Sequence, residues 1–434
     1  MKKTKLVIVL LIIIILQFFS ACEFKKIDLD LDKTLADKLV IWWEEGVPYQ
    51  LFAADALEKQ FAHTSFEFKP FNPPPPEGYA IHNLLEMMRN EPSPDLIVFG
   101  TRFLPLMIEA EYLEPIPDTY ARGLDYDIIE DMRSSSPDLA LYALPFGRIA
   151  EGLFYNKAIF DEMNVNYPVD GMTWDEVIDL AKAFKSGPFN PIGVTAFDSM
   201  MSQLSLQWYN PETKQVNFKS REWNELTRIL LELNELLEPH QGYLMSSFSV
   251  GDTAMVVGPL YGAMNIRPGL LNYESNLRLL DVNWDIVSFP VFDVEQRLQP
   301  ADQILGIGVP SRSENKQDAF KVMQYLLSHE VQSENSRKGL VSMRYDAETF
   351  MEHFGSFSLL AGKSISSLFS DAARGKRDPV LEFVHFTNSI LRSYVNVEDS
   401  IKDIFLTEVE KTISQAIPKL MDERSRFIEE MRSL

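Results

Sequence analysis

An α/β fold in two lobes is what this chain predicts, and three observations predict it. Residues 38–100 alternate continuous apolar runs with helically spaced apolar stripes, and the same alternation returns over residues 284–326. The third observation is length: 434 residues are too many for one ordinary hydrophobic core.

In chain order, Lys2, Lys3 and Lys5 precede an almost wholly apolar run from Leu6 to Phe19, which ends in Ser20-Ala21-Cys22. The run falls short of the roughly 20 residues a bilayer-spanning helix needs. It fits the hydrophobic region of a secretory signal peptide over residues 1–21, with small residues marking the cut. Cys22 is the sole cysteine. The segment resembles a bacterial lipobox, with Phe19 where Leu is usual, in which that cysteine is lipidated and becomes the new N-terminus. The alternative is an uncleaved anchor with an incidental cysteine. Several acyl chains on one residue hold a membrane firmly where a single chain does not. Residues 22–37 read as a polar tether.

From Lys38 the pattern becomes that of a folded domain. Leu39-Val40-Ile41-Trp42-Trp43 is a strand buried on both faces, as parallel strands are. Ala53, Ala56, Leu57 and Phe61 follow at helical spacing. Phe66, Phe68 and Phe71 mark a second strand, closed by a proline run at 73–76 that cannot sit in a sheet. A helix over Ile81–Arg89 and a strand over Asp95–Phe99 complete the unit. Open α/β sheets bind ligands outside the carboxyl ends of their strands, which directs attention to Trp43-Glu44-Glu45 and to Gly100-Thr101-Arg102. Of the adjacent tryptophans, one is expected in the core and the other within reach of a cleft.

Two extended stretches follow, Tyr142–Gly147 and Gly152–Lys157. Thr173 with Glu176 three residues on is a capping box, and Val177, Leu180, Ala181 and Phe184 continue the helix to Gly187-Pro188. Trp284–Pro290 and Ile304–Pro310 read as strands, and Ala319, Val322, Met323 and Leu326 as the inner face of a helix. The last third is helical in pattern, with Pro418 expected to kink it.

The chemistry motifs exclude more than they propose. There is no phosphate-binding Gly-x-x-x-x-Gly-Lys-Ser/Thr loop, no three-glycine dinucleotide fingerprint and no Gly-x-Ser-x-Gly elbow. The six histidines are scattered, and a lone cysteine supplies no disulfide or thiolate metal site. Glu44 and Glu45 are adjacent on an extended chain and point apart, so they cannot flank one glycosidic bond as a catalytic pair. A net charge of −22, more negative once the leader lysines are removed, disfavours nucleic acid and favours solubility. No catalytic residue, metal or cofactor is expected.

Several segments, in order, resemble the extracellular solute-binding protein family 1, the maltose- and oligosaccharide-binding branch of ATP-binding-cassette importers. They are Lys38–Trp43, Ser93–Gly100, Leu144–Gly147 with Leu153–Lys157, Pro168–Val177, Phe248–Met255 with Gly258–Tyr261, and Leu305–Pro310 with Asn315–Phe320. The resemblance implies a two-lobed, type II periplasmic-binding-protein-like fold with ligand between the lobes. One lobe would comprise 38–147 and 304–335, the other 150–300 and 340–434. Hinge crossings are expected near Gly147–Glu151, Arg297–Ile304 and Leu327–Arg344. The ligand residues it implies are Trp43, Glu44, Thr101, Arg102, Arg148, Leu260 and Tyr261; Phe197 and Asp198 are added from their place after a short strand-like run. Two departures set this chain apart: Thr101-Arg102 stands where the family often has an acidic residue, and Leu260 where it has Trp. The resemblance further implies a monomer, lipid-anchored outside the cytoplasmic membrane, that delivers a sugar or oligosaccharide to an importer permease. An anionic ligand stays open through Arg102 and Arg148. Two other roles remain open, a sensing lipoprotein coupled to a receptor kinase and a secreted enzyme acting on polysaccharide.

Overall fold

The computed structural model describes residues 35–44, 49–71, 80–206, 209–210, 213, 215–216, 220–236, 248–260, 281–293, 295, 298–300, 303–369, 374, 411, 414, 421–422 and 424–434. The leader with Cys22, residues 22–34 of the tether, Glu45, the 73–76 proline run, Tyr261 and Pro418 lie outside them.

Two sheets organise the molecule. The first has strand order β2-β1-β3-β11-β4, built from β1 (Lys38–Glu44), β2 (Ser65–Phe71), β3 (Leu96–Gly100), β4 (Leu144–Ile149) and β11 (Gln303–Gly308). β1 runs parallel to β2 and β3, with Trp43 opposite Pro70 and Val98. β11 runs antiparallel to β3 and β4. All five residues of β3 are buried, as befits a central strand covered on both faces. The second sheet has order β10-β5-β9-β6, from β5 (Glu151–Asn156), β6 (Asn190–Val194), β9 (Thr253–Pro259) and β10 (Trp284–Ser288). β5 is antiparallel to β9 and β10, and β6 is parallel to β9. A two-residue ribbon of β7 (Tyr209–Asn210) and β8 (Gln215–Val216) stands apart.

Helices α1 (Tyr49–Gln60) and α2 (Ala80–Asn90) connect β1, β2 and β3 in turn. α3 (Leu104–Glu109) and α4 (Tyr126–Ser134) lie between β3 and β4, and α5 (Lys157–Met163) follows β5. α6 (Trp174–Lys182) starts at the capping box: Thr173 accepts from the Glu176 amide at 3.1 Å, and Glu176 accepts from the Thr173 amide at 2.7 Å. Trp174, Val177, Ile178 and Ala181 of this helix are buried in the second core. α7 (Phe197–Gln203) follows β6, α8 (Arg221–Asn234) precedes β9, and α9 (Lys316–Leu326) and α10 (His329–Arg337) follow β11. No helix among the described residues is long and apolar enough to cross a membrane.

The chain leaves the first sheet at Ile149 and enters the second at Glu151, with only Ala150 between. The segment 340–434, expected to join the second lobe, makes these contacts among its described residues. Residues 340–346 run along the first lobe: Arg148 and Val341 exchange backbone hydrogen bonds of 2.8 and 3.1 Å, and Asp125 donates its amide to Met343 O at 2.9 Å. Gly355 and Phe357 still donate their amides to α10, at Ser336 O and Arg337 O. Lys363 and Ser364 bond to the second sheet, Lys363 Nζ donating to Trp284 O at 2.7 Å and the Ser364 amide to Asp285 Oδ1 at 2.8 Å. Helical residues 424–433 return to the first lobe. There Arg89 pairs with Glu430, Arg432 donates to Glu109 O at 2.6 Å, and Phe427, Ile428 and Met431 are buried. An amphipathic stripe dictates that a face is buried but carries no address, so the pattern of this helix was silent about which lobe receives it.

Candidate functional site

The registers fix which ends of the two sheets meet. In the first sheet Leu305 of β11 lies opposite both Gly100 and Gly147, and Gln303 opposite Ile149. The carboxyl ends of β3 and β4, with the end of β1 beside them, therefore share the edge from which the chain departs at Ala150. In the second sheet Glu151 lies opposite Pro259, and Val194 opposite Val257. The carboxyl ends of β9 and β6 thus share the edge at which the chain arrives. Leu260 donates its amide to Ala150 O at 2.9 Å and seals the junction.

On the first-lobe rim Glu44 ends β1 with 5% of its surface exposed. Its Oε2 accepts the Gly100 amide at 2.8 Å, and its carboxylate forms an ion pair with Arg102. Arg102 sits in the 3-10 turn Thr101–Phe103, its guanidinium 4.5 Å above the Phe103 ring. A Cβ at position 100 would run into Arg102 and crowd Glu44, so glycine is what lets the end of β3 pass beneath the pair. Burying two charges is tolerable when they are paired and otherwise hydrogen-bonded. Both sequence candidates are therefore committed to each other. Thr101 is half-buried, its methyl close against Gly306. Trp42 is wholly buried, while Trp43 is half-buried and meets Phe68 edge-on at 6.0 Å. Arg148 is 8% exposed, its backbone paired with Ile304 and Val341.

On the second-lobe rim the turn after β6 places Thr195, Phe197, Asp198 and Ser199 together. Thr195 Oγ1 donates to Val257 O at 3.2 Å, and Gly258 leaves the space that hydroxyl occupies. Phe197 is half-buried against the second core, and Asp198 is exposed. Leu260 is wholly buried, so its side chain packs in the interior. Two polar residues here were not singled out by the sequence pattern. Glu151, the half-buried first residue of β5, accepts a hydrogen bond from Ser199 Oγ at 2.8 Å, and Ser199 is wholly buried. The one signal in the sequence was a carboxylate heading a strand centred on Leu153, Phe154 and Tyr155. Among the described residues no group of His, Cys, Asp and Glu is arranged to hold a metal ion.

The family model for bacterial extracellular solute-binding proteins matches residues 83–333, more than half of the chain, with the whole second sheet and β3, β4 and β11 of the first. This protein belongs to the bacterial extracellular solute-binding protein family. Solved structures agree on the fold of this solute-binding protein. An ABC substrate-binding protein from Listeria monocytogenes in complex with cycloalternan superposes with a TM-score of 0.64 at 16% identity, over 88% of this chain and 99% of that one. The sugar-binding protein MalE from Xanthomonas citri gives 0.63 at 18% identity, over 90% and 99%. An ABC transporter solute-binding protein from Thermotoga lettingae bound with alpha-D-tagatose gives 0.62 at 17%, over 91% and 100%. No curated protein matches the sequence. The family and these neighbours make the protein a two-lobed α/β solute-binding protein.

Proposed function

We propose that this protein captures a sugar or oligosaccharide between its lobes and hands it to the permease of an ABC importer, held to the outer membrane face through a lipidated Cys22. What supports the reading is the junction at Ala150, where the chain passes directly from one sheet to the other and each sheet carries a polar pair at strand ends on that edge, Glu44 with Arg102 and Glu151 with Ser199. The solved neighbours bound to cycloalternan and alpha-D-tagatose support a saccharide as the ligand class. Binding sites of this kind combine apolar walls with a few placed polar groups. Trp43, Thr101, Arg148, Phe197, Asp198, Leu260 and Tyr261 complete the proposed ligand surroundings, Leu260 through its backbone. Ligand acts by favouring one arrangement of the lobes over another, in proportion to its affinity for each.

The test is a thermal-shift screen of residues 23–434 against neutral mono- and oligosaccharides. A sugar at about 100 times its dissociation constant adds about 2.7 kcal/mol of stability, read as a higher melting temperature. A shift without turnover supports capture. Consumption of the sugar, or a panel with no shift, overturns the reading. Radiolabelled lipid incorporation that persists in Cys22→Ala would overturn the anchor.

A further inference from the structure

We infer that two buried glutamines, Gln332 in the first lobe and Gln203 in the second, are positioning residues that clamp the segments crossing between the lobes and so confine where one lobe turns on the other. The inference goes beyond the proposed function and holds whichever ligand the lobes take.

Among the described residues the chain passes between the sheets at three places. It does so at Ala150 from β4 to β5, between β10 and β11, and after α10, where residues 340–343 lie beside the first lobe and residues 363–364 bond to β10. Gln332, in α10, is 1% exposed. Its Nε2 donates to Phe146 O at 3.1 Å and to Leu326 O at 3.0 Å, and its Oε1 accepts from Ser342 Oγ at 3.0 Å. Phe146 belongs to β4, just ahead of the first crossing, and Ser342 to the start of the third. One side chain thus fastens both to the end of α9 on the first lobe. The Arg148–Val341 backbone pair lies next to this clamp, and Gly147 leaves the space that Leu340 fills.

Gln203 is the last residue of α7 and is also 1% exposed. Its Nε2 donates to Pro290 O at 2.8 Å and to Leu298 O at 2.7 Å, and its Oε1 accepts from Trp174 Nε1 at 3.4 Å. Pro290 follows β10 and Leu298 precedes β11, so both ends of this stretch are held on the second lobe before the chain departs. The middle crossing is therefore clamped on the second lobe and the other two on the first. Turning is left to the spans beyond the clamps, around Ala150 and between Leu298 and Gln303. Hinges are a few residues at element ends that absorb the backbone rotation. An amide suits both places, because it offers two donors and an acceptor without a charge, and each glutamine meets two carbonyls and one donor. An apolar side chain would withdraw the donor from both carbonyls.

The experiment is a pulsed electron–electron distance measurement between spin labels on the two lobes, made without ligand. Cys22 is the sole cysteine, so residues 23–434 can be labelled at Glu58→Cys in α1 and Lys185→Cys after α6, both exposed positions. Gln332→Met and Gln203→Met keep the side-chain length and remove the hydrogen bonds. Ser342→Ala and Gln203→Asn are the milder forms, which decide the matter if a methionine variant fails to fold. Leu226→Ala hollows the second core without touching these bonds and reports the effect of lost stability alone. Variants of both glutamines are expected to widen the distance distribution roughly twofold or to move its maximum. Leu226→Ala is expected to match the parent's distribution at an equal or larger drop in melting temperature. Variants of either glutamine that keep the parent's distribution, whatever their melting temperature, overturn the inference, and so does equal widening in Leu226→Ala. No sugar enters the measurement, so its outcome is separate from that of the thermal-shift screen.

Discussion

Replacing Arg102 by Met removes the cation from a carboxylate that the fold has already buried. The Glu44 side chain is 7% exposed and that of Arg102 25%. Breaking a fully buried ion pair by deleting one partner costs about 3–5 kcal/mol, because the other charge is left uncompensated. Two features reduce the figure here: Arg102 is a quarter exposed, and Glu44 keeps the Gly100 amide at 2.8 Å. The expected loss is about 2 kcal/mol, or roughly 4–8 °C in the melting temperature of a lobe-sized unit. Met preserves the apolar contact with Phe103, so the loss reports charge more than packing. The assay is thermal unfolding of Arg102→Met, of Glu44→Gln and of the double variant. With both charges gone no buried ion is stranded, so the double variant is expected to melt well above Arg102→Met. If Arg102→Met melts within about 1 °C of the parent, or the double variant is no better than the single, Glu44 is not held by Arg102 and the account of this rim is wrong.

Three further outcomes follow from local geometry. Gly258→Ala puts a methyl where the Thr195 hydroxyl lies; Thr195 must rotate and give up its bond to Val257 O, a loss of about 1 kcal/mol, and chemical denaturation should show Gly258→Ala with Thr195→Ala no worse than Thr195→Ala alone. Thr173→Ala removes the side-chain half of the α6 capping box, the hydroxyl that accepts the Glu176 amide, while its own amide can still donate to Glu176, and should cost about 1 kcal/mol, whereas Thr173→Ser should cost much less in the same denaturation assay. Burial works to raise the pKa of Asp285, but Lys157 Nζ at 2.7 Å and the amides of Ser364 and Ile286 outweigh it and hold the carboxyl below its ordinary 3.8. A depressed folded-state pKa stabilises above the unfolded value and is lost as pH falls through the folded one. The parent's melting temperature should therefore drop below pH 4 by more than that of Asp285→Asn, and equal drops would remove Asp285 from the account.

The strands and helices flanking the site were legible because their signals are local. Leu39 to Trp43 is a continuous apolar run, and it is a strand between two parallel neighbours. Thr173 and Glu176 are three residues apart, and they cap a helix. The candidate site was legible only as addresses. Strand ends pointed to Glu44 and Arg102, yet nothing in residues 44 and 102 says that they neutralise each other. Tertiary contact converts two prospective ligand groups into one ion pair. Glu151 stood in the sequence only as the end of an expected hinge crossing, because nothing local to it names a side-chain partner. Its meaning comes from Ser199, which sits 48 positions away and is brought to it by the turn after β6.

The sequence by itself determined the elements, the α/β class and the family resemblance, since apolar period, capping residues and ordered motifs are all written along the chain. Tertiary structure decided what those elements face. It chose Trp42 for the core over Trp43, buried the Leu260 side chain, and kept residues 340–357 beside the first sheet. It also returned helical residues 424–433 to that lobe. Hydrophobic burial is non-directional, so a stripe of apolar residues demands a partner surface without naming one. Only the packed fold, with its registers and distances, supplies the name.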